Sequence, residues 1–411
     1  MKSCFGPPGK ERPWVNRVAG RIGDPIVKLR FLSVMAGGKR RRPGFLGRAR
    51  GAAWGPQHDV WAAPGTARGG RPWFRRWGAA SLGLAVALGA VLGTMVWPRP
   101  RPTSAAETLA APAYIHQASA GAANPAAVAN VWLVEKKGES ETYSNGLQID
   151  IHFSTSTHHR SYLAFPAGGG APVNRDGPVG IVFHTTEGHQ APFEASANGE
   201  LKRIGESLLE YVRRKQAYNY VIDRFGRVYR AVPEDEAANH SGNSAWADQN
   251  WSYVNLNESF LAVAIEAASP QKEEDARINP AQVRSAAILV EWLRSRYRIP
   301  ASNCVVHAQV SVNPAAMLVG LHVDWATGFP FEGVGLPDNY ALPLPAVWAY
   351  GFECDADFTG RAGPRMLAGI EAARAILARR AADNGLTPEE YRTRLRQRYH
   401  QMRAAVTRTR G

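Results

Sequence analysis

Read for apolar and polar positions, the chain divides into stretches of different period. Residues 1–76 show no apolar period and are rich in Gly, Pro and Arg, which predicts a disordered basic leader. Residues 77–98 are 22 positions without a charged side chain, enough to cross a bilayer as a helix. Residues 99–129 open with RPRPTSAAE and predict a linker, stiff where Pro-rich and looser where Ala and Ser take over.

From Asn130 the texture is that of a folded chain. In residues 130–174 the runs VWLVEKKG and GLQIDIHF alternate on either side of a stretch containing Ser144-Asn145-Gly146, a hairpin signature, and SYLAFP adds a third strand. This predicts a small β-rich element packing against the next domain. Residues 175–337 alternate strand and helix patterns. GIVFHT is a short buried strand, and RIGESLLEYVRRKQ carries a helical stripe at Ile204, Leu208, Tyr211 and Val212. YNYVIDRFGRVYRAV is a hairpin turning at Arg224-Phe225-Gly226, and FLAVAIEAA is an apolar strand. Asn279 and Pro280 open a helix as N-cap and first turn, and NCVVHAQV is the next strand. Residues 338–411 begin Pro-punctuated and end in two helical stretches, the second announced by Thr387-Pro388-Glu389-Glu390. The whole predicts an α/β chain: a mixed central β-sheet flanked by helices, with the β-rich element before it and a helical tail after it.

Charge changes the picture of partners. The net charge of +14 suggests nucleic acid until it is placed along the chain. Residues 1–78 hold 17 Lys and Arg against 3 Asp and Glu, and the rest of the chain holds 32 of each sign. The folded part is neutral, so no nucleic-acid partner is expected. The excess sits on the N-terminal side of the apolar run, where Arg71, Arg75 and Arg76 mark the cytoplasmic side. That places the chain beyond Pro98 on the exported side of a membrane, with residues 77–98 either a retained anchor or a cleaved signal. Residues 359–411 hold 12 Arg and 4 acids and predict a solvated helical pair, or a contact with an anionic polymer or lipid surface. Cys304 and Cys354, both in the exported part, could pair, although Cys304 in the apolar run CVV fits a buried strand position.

The candidate chemistry lies at strand ends. His184 follows IVF and His307 follows CVV, so two histidines end two core strands and can converge above the sheet edge. A lone histidine is more often structural; two in equivalent places, followed by His322-Val323-Asp324 in a turn-rich loop, point to a metal site. Zinc accepts imidazole and carboxylate, and a catalytic site keeps three protein ligands and one water. Glu266, an acid in the buried run AVAIEAA, is the candidate general base. The adjacent pair His158-His159 cannot face one site from a strand and predicts no metal.

The segments IVFHTTEG, YNYVIDRFGRVYRAV, NHSGNS, LAVAIEA and VVHAQVS…DWATGFPF, in that order, resemble the zinc-dependent N-acetylmuramoyl-L-alanine amidases and the peptidoglycan-recognition proteins. The resemblance runs from about 180 to 331. It implies zinc (Zn2+) ligands at His184, His307 and Asp324, a catalytic glutamate at Glu266 and a catalytic tyrosine at Tyr218. It implies a groove histidine at His240 and peptidoglycan or muropeptides as substrate. Trp325 stands where the family has proline, and His322 where many members carry an oxyanion-stabilising lysine, so His322 is expected in that role; His322 could also replace Asp324 on the metal. Beside amide hydrolysis, two further functions stay open: a binding module without turnover, and a zinc endopeptidase acting within the stem peptide.

Overall fold

A computed structural model describes residues 130–272 and 278–408. The leader, the apolar run at 77–98 and the linker lie outside the described residues. Among the described residues no helix is long and apolar enough to cross a membrane.

The strands in chain order are β1 (Leu133–Lys137), β2 (Ser140–Tyr143), β3 (Gln148–Asp150), β4 (Tyr162–Pro166), β5 (Val173–Arg175), β6 (Gly180–Thr185), β7 (Tyr220–Ile222), β8 (Val228–Arg230), β9 (Ala245–Ala247), β10 (Trp251–Val254), β11 (Phe260–Ile265) and β12 (Cys304–Val306). The long helices are α1 (Asn198–Lys215), α2 (Pro280–Tyr297), α3 (Pro364–Asp383) and α4 (Pro388–Arg408). The main sheet has eight strands in the order β1-β2-β3-β8-β7-β11-β6-β12. Its centre is parallel, with β11 between β7 and β6 and β12 beside β6. This is the expected mixed sheet flanked by helices.

Parallel strands buried on both faces need apolar residues at consecutive positions, and GIVFHT and FLAVAI supply them. Ile181, Phe183, Val263, Ile265, Cys304 and Val306 face one layer of the core, together with Leu289 and Leu293 of α2. The opposite face meets α1 through Leu209, Val212 and Val221. Helix α2 begins as its sequence predicts: the Asn279 side chain accepts from the Gln282 N–H and Gln282 reaches back to the Asn279 N–H, a capping box with proline in the first turn.

Four details differ from expectation. The hairpin expected between VWLVEKKG and GLQIDIHF contains an extra strand, β2, and Ser144-Asn145-Gly146 joins β2 to β3. The resulting meander extends the main sheet, because β3 pairs in parallel with β8. SYLAFP supplies β4, which belongs to a second, four-stranded sheet, β5-β4-β10-β9. The run NCVVHAQV is a strand only to Val306; His307–Val310 is a helical turn, and the Gln309 side chain accepts the Val306 N–H at 3.2 Å.

The fourth difference is the tail. Helices α3 and α4 are not a solvated pair: Met366, Ile370, Ala373 and Leu377, with Tyr391, Leu395, Tyr399, Met402 and Val406, join the main core. Their spacing of three and four residues makes one buried stripe per helix, which the arginines between them conceal in a count of charge. Gly369 lets α3 approach the chain before it, since a Cβ there would meet the Tyr340 and Leu342 carbonyls at 2.6 Å. Thr387 and Glu390 exchange hydrogen bonds at the start of α4, the Thr387 N–H donating at 2.8 Å. Cys304 and Cys354 are free thiols, so the disulfide left open by the sequence is not formed.

Candidate metal centre

The centre forms at the carboxyl ends of the parallel strands. In β6, His184 lies in register with Ala264 of β11, and β12 pairs Val306 with Phe183, so His307 comes beside His184 on the same face. Glu266 lies two positions beyond Ala264, again on that face. Three polar groups on consecutive buried strands thus share one sheet face, because the strands are short and parallel and polar side chains are admitted only at their ends.

Asp324 closes the cluster. His184 Nδ1 lies 3.2 Å from its Oδ2 and His307 Nδ1 lies 2.8 Å from its Oδ1. The two imidazole centroids are 4.4 Å apart. One donor atom from each of the three residues falls within 4.8 Å of the others. Backbone contacts fix the loop: the Asp324 carbonyl accepts the Ala308 N–H at 3.2 Å, and the Trp325 carbonyl accepts the Tyr340 hydroxyl at 2.9 Å. Trp325 takes a positive φ of 58° and its indole is fully buried against Phe329, anchoring the chain directly after the carboxylate.

Around this trio stand three more predicted residues. His322 stacks on the free face of His307, with centroids 5.0 Å apart and planes 17° from parallel. The Tyr218 ring lies 5.1 Å from that of His184, on a backbone with a positive φ of 58°. His240 Nδ1 lies 3.1 Å from His184 Nε2. Glu266 shares the face but is hydrogen-bonded elsewhere, its Oε2 accepting the backbone N–H of Arg224 at 3.1 Å in the β7–β8 turn. The pair His158-His159 serves two separate carboxylates, His158 reaching Glu258 and His159 reaching Asp235.

Burial and charge set the protonation of these groups. Burial alone would raise the Asp324 carboxyl, but the neighbouring His307 and the hydrogen bonds from both imidazoles hold it well below the ordinary carboxylate range. Burial, then the proximity of His307, pushes His184 down to about 4, so its imidazole is neutral near pH 7. Burial pushes Glu266 up to about 7, opposed by the Arg224 N–H and aided by the Asp223 charge. Tyr218 is held well above its usual range by burial and by the Asp324 charge, which keeps its hydroxyl protonated. An ionised carboxylate beside the neutral imidazole of His184, with a second carboxyl poised near neutrality on the same face, is an arrangement able to bind a divalent cation and move a proton.

Two supports were not legible in the sequence. Asn257 accepts the backbone N–H groups of His240 and Ser241 at 3.1 and 2.7 Å, and the Arg224 N–H holds Glu266. Neither residue lies near its partner in the chain, and neither sits in a recognisable spacing.

Comparison with known proteins adds a family. Residues 174–317 match the family described as N-acetylmuramoyl-L-alanine amidase. Over 89 residues the chain is 30% identical to the N-acetylmuramoyl-L-alanine amidase AmiD of Escherichia coli, a span covering 21% of this chain and 31% of that protein. The chain therefore spans about a third of this curated relative. Among solved structures, AmiD in complex with anhydro-N-acetylmuramic acid-L-Ala-D-gamma-Glu-L-Lys aligns at 20% identity and TM-score 0.30, over 48% of this chain and 65% of that one. AmpDh3 of Pseudomonas aeruginosa with an anhydromuramic pentapeptide aligns at 18% identity and TM-score 0.31, over 52% and 85%.

Proposed function

We propose, from the match of residues 174–317 to the N-acetylmuramoyl-L-alanine amidase family, that the chain is a zinc hydrolase of bacterial peptidoglycan that cuts the amide joining N-acetylmuramic acid to L-alanine of the stem peptide. The observation that carries this is the approach of two buried imidazoles, each through Nδ1, to one carboxylate. The residues fit the metal: two imidazoles and a carboxylate are a donor set of catalytic zinc sites. Their donor atoms already lie together, in a buried setting where an ionised carboxylate needs a cation or hydrogen-bond donors.

His184, His307 and Asp324 would hold the ion. Bound there, zinc supplies Lewis acidity toward the scissile carbonyl and the attacking water. Glu266 takes a proton from that water, and its pKa of about 7 leaves it both ionised in part and basic enough for the task. It returns the proton to the amine of L-alanine as the bond breaks. Tyr218 and His322 donate hydrogen bonds to the oxygen on which negative charge builds, each worth roughly 10²–10³ in rate if it behaves like other oxyanion donors. His240 lines the groove for the muropeptide. The products are a free lactyl carboxylate on the sugar and a stem peptide with a free L-alanine terminus.

Digestion of purified sacculi with the full chain, followed by mass analysis, tests the bond. Free stem peptides beginning with L-alanine are expected. Cuts inside the stem would make the chain an endopeptidase, and binding without release would make it a recognition module. We place the activity on the exported side of the bacterial inner membrane, held by or released from residues 77–98, because the arginine cluster precedes that run. A reporter fused after Gly411 should read as exported; a cytoplasmic signal contradicts the placement.

A further inference from the structure

A histidine that ligates a metal through one ring nitrogen must carry its proton on the other, and a second group usually fixes that choice by accepting the N–H. The two imidazoles of the centre differ in this respect. His307 Nε2 is buried with no hydrogen-bond partner, and its ring is held by the stacked His322. His184 Nε2 has a partner, His240 Nδ1 at 3.1 Å, with the two rings nearly perpendicular at 82°.

The His240 ring is itself held from behind. Asn257 Oδ1 accepts its backbone N–H at 3.1 Å, the next N–H at 2.7 Å and the Ser241 hydroxyl at 2.9 Å. On the other side, the Asn239 N–H donates to the Gln216 carbonyl at 2.9 Å. His240 Nε2 is buried with no hydrogen-bond partner.

Only two proton arrangements satisfy the contact between the rings. Either His240 Nδ1–H donates to His184 Nε2, and His184 then carries its proton on Nδ1, or His184 Nε2–H donates to His240 Nδ1. The first places an N–H where a metal would need a lone pair. The second exposes the His184 Nδ1 lone pair toward Asp324 and His307, so a metal ion there takes the place of the Nδ1 proton that otherwise bonds Asp324. We propose that His240 is a positioning residue: it accepts the His184 Nε2–H and thereby fixes the tautomer and ring orientation in which His184 can serve as a metal donor. This rests on the zinc assignment above and extends it to a residue expected only in the substrate groove. It also explains why a perpendicular ring lies half-buried behind a ligand instead of facing the groove alone.

The test is zinc affinity of the full chain by competition with a chromophoric chelator. Asparagine places its Oδ1 near the position of histidine Nδ1, so it keeps the acceptor, whereas phenylalanine fills the space and removes it. His240→Phe should weaken zinc binding by roughly 10- to 100-fold, the usual effect of losing such an outer partner. His240→Asn should recover most of that loss. Equal affinity in His240→Phe and wild type overturns the proposal, and so does a His240→Asn protein as weak as His240→Phe, because packing alone would then be at work. Should the variants fold poorly, nitrogen-15 spectra of the wild-type zinc-loaded protein decide: a proton on His184 Nε2 supports the assignment, and a proton on His240 Nδ1 overturns it. Failure of the zinc assignment itself reads differently, as a wild-type chain that binds no zinc.

Discussion

The two ends of the main sheet share one ladder and carry opposite side-chain patterns. At β6, β11 and β12 every residue is buried, whereas all five residues of β1 are exposed, including Leu133 and Val134 at 47% and 60%. The β12 edge is covered, with the Asn339 side chain donating to the Cys304 carbonyl at 2.8 Å. The β1 edge faces solvent with Glu135, Lys136 and Lys137, charges that discourage edge-to-edge pairing. The lesson lies in where polar groups can go. On β1 a polar side chain meets water and creates nothing. On strands buried from both sides, a histidine or glutamate is tolerable only at a strand end with partners, so the few that occur are gathered onto one face.

The comparison breaks most visibly at Glu266. Glu266→Gln should lower the rate of peptidoglycan cleavage by about 10²–10⁴, the usual contribution of a general base. In the wild type the rate should fall as pH drops through about 7, where Glu266 takes up a proton. Stability should move the other way. The folded pKa is raised from 4.5 to about 7, so the stability tied to the protonated form is full below pH 4.5 and lost as pH rises through 7. Glutamine imitates the protonated form; Glu266→Gln should therefore be more stable than wild type at alkaline pH, by up to about 3 kcal/mol, and similar to it in acid. Denaturant titrations at pH 5 and pH 8.5 check this; a variant less stable at pH 8.5 contradicts it.

Trp325 asks whether the buried end also depends on packing. Its indole is fully buried, and its carbonyl and that of its neighbour Asp324 are tied to Tyr340 and Ala308. Trp325→Ala should cost about 3–5 kcal/mol, as large-to-small changes of buried aromatics do, and should weaken metal binding by releasing the Asp324 loop. Thermal unfolding with and without zinc measures both. The smallest effect belongs to the exposed end: Val134→Thr should change stability by no more than about 0.5 kcal/mol and leave activity unchanged. A loss of activity there would mean that β1 takes part in the site.

Much of this was legible in the sequence, for reasons that differ by residue. His184 and His307 stood out because IVF and CVV precede them, and a buried strand announces itself by uninterrupted apolar residues. Strand β2 did not, because SETY reads as polar: Glu141 is buried at 6% exposure, paired with Arg230 at 2.8 Å and hydrogen-bonded by Tyr143 at 2.9 Å. A buried ion pair hides a strand from any hydropathy pattern. The tail misleads in the same manner, its arginines outnumbering a stripe of buried residues at helical spacing. The contact of His240 with His184 joins positions 56 residues apart, and no spacing encodes it.

The central claim is that His184, His307 and Asp324 bind zinc and that His322 does not. Asp324 takes both imidazole Nδ1 atoms, whereas His322 lies flat against His307, with its backbone N–H on the Ser311 hydroxyl at 3.2 Å. Metal analysis of the purified chain and two variants tests this most directly. The wild type should carry about one zinc, as one set of three ligands holds one ion. His322→Ala should keep it, and Asp324→Ala should lose it. A metal-free His322→Ala beside a fully metallated Asp324→Ala would contradict the account and make the site one of three histidines.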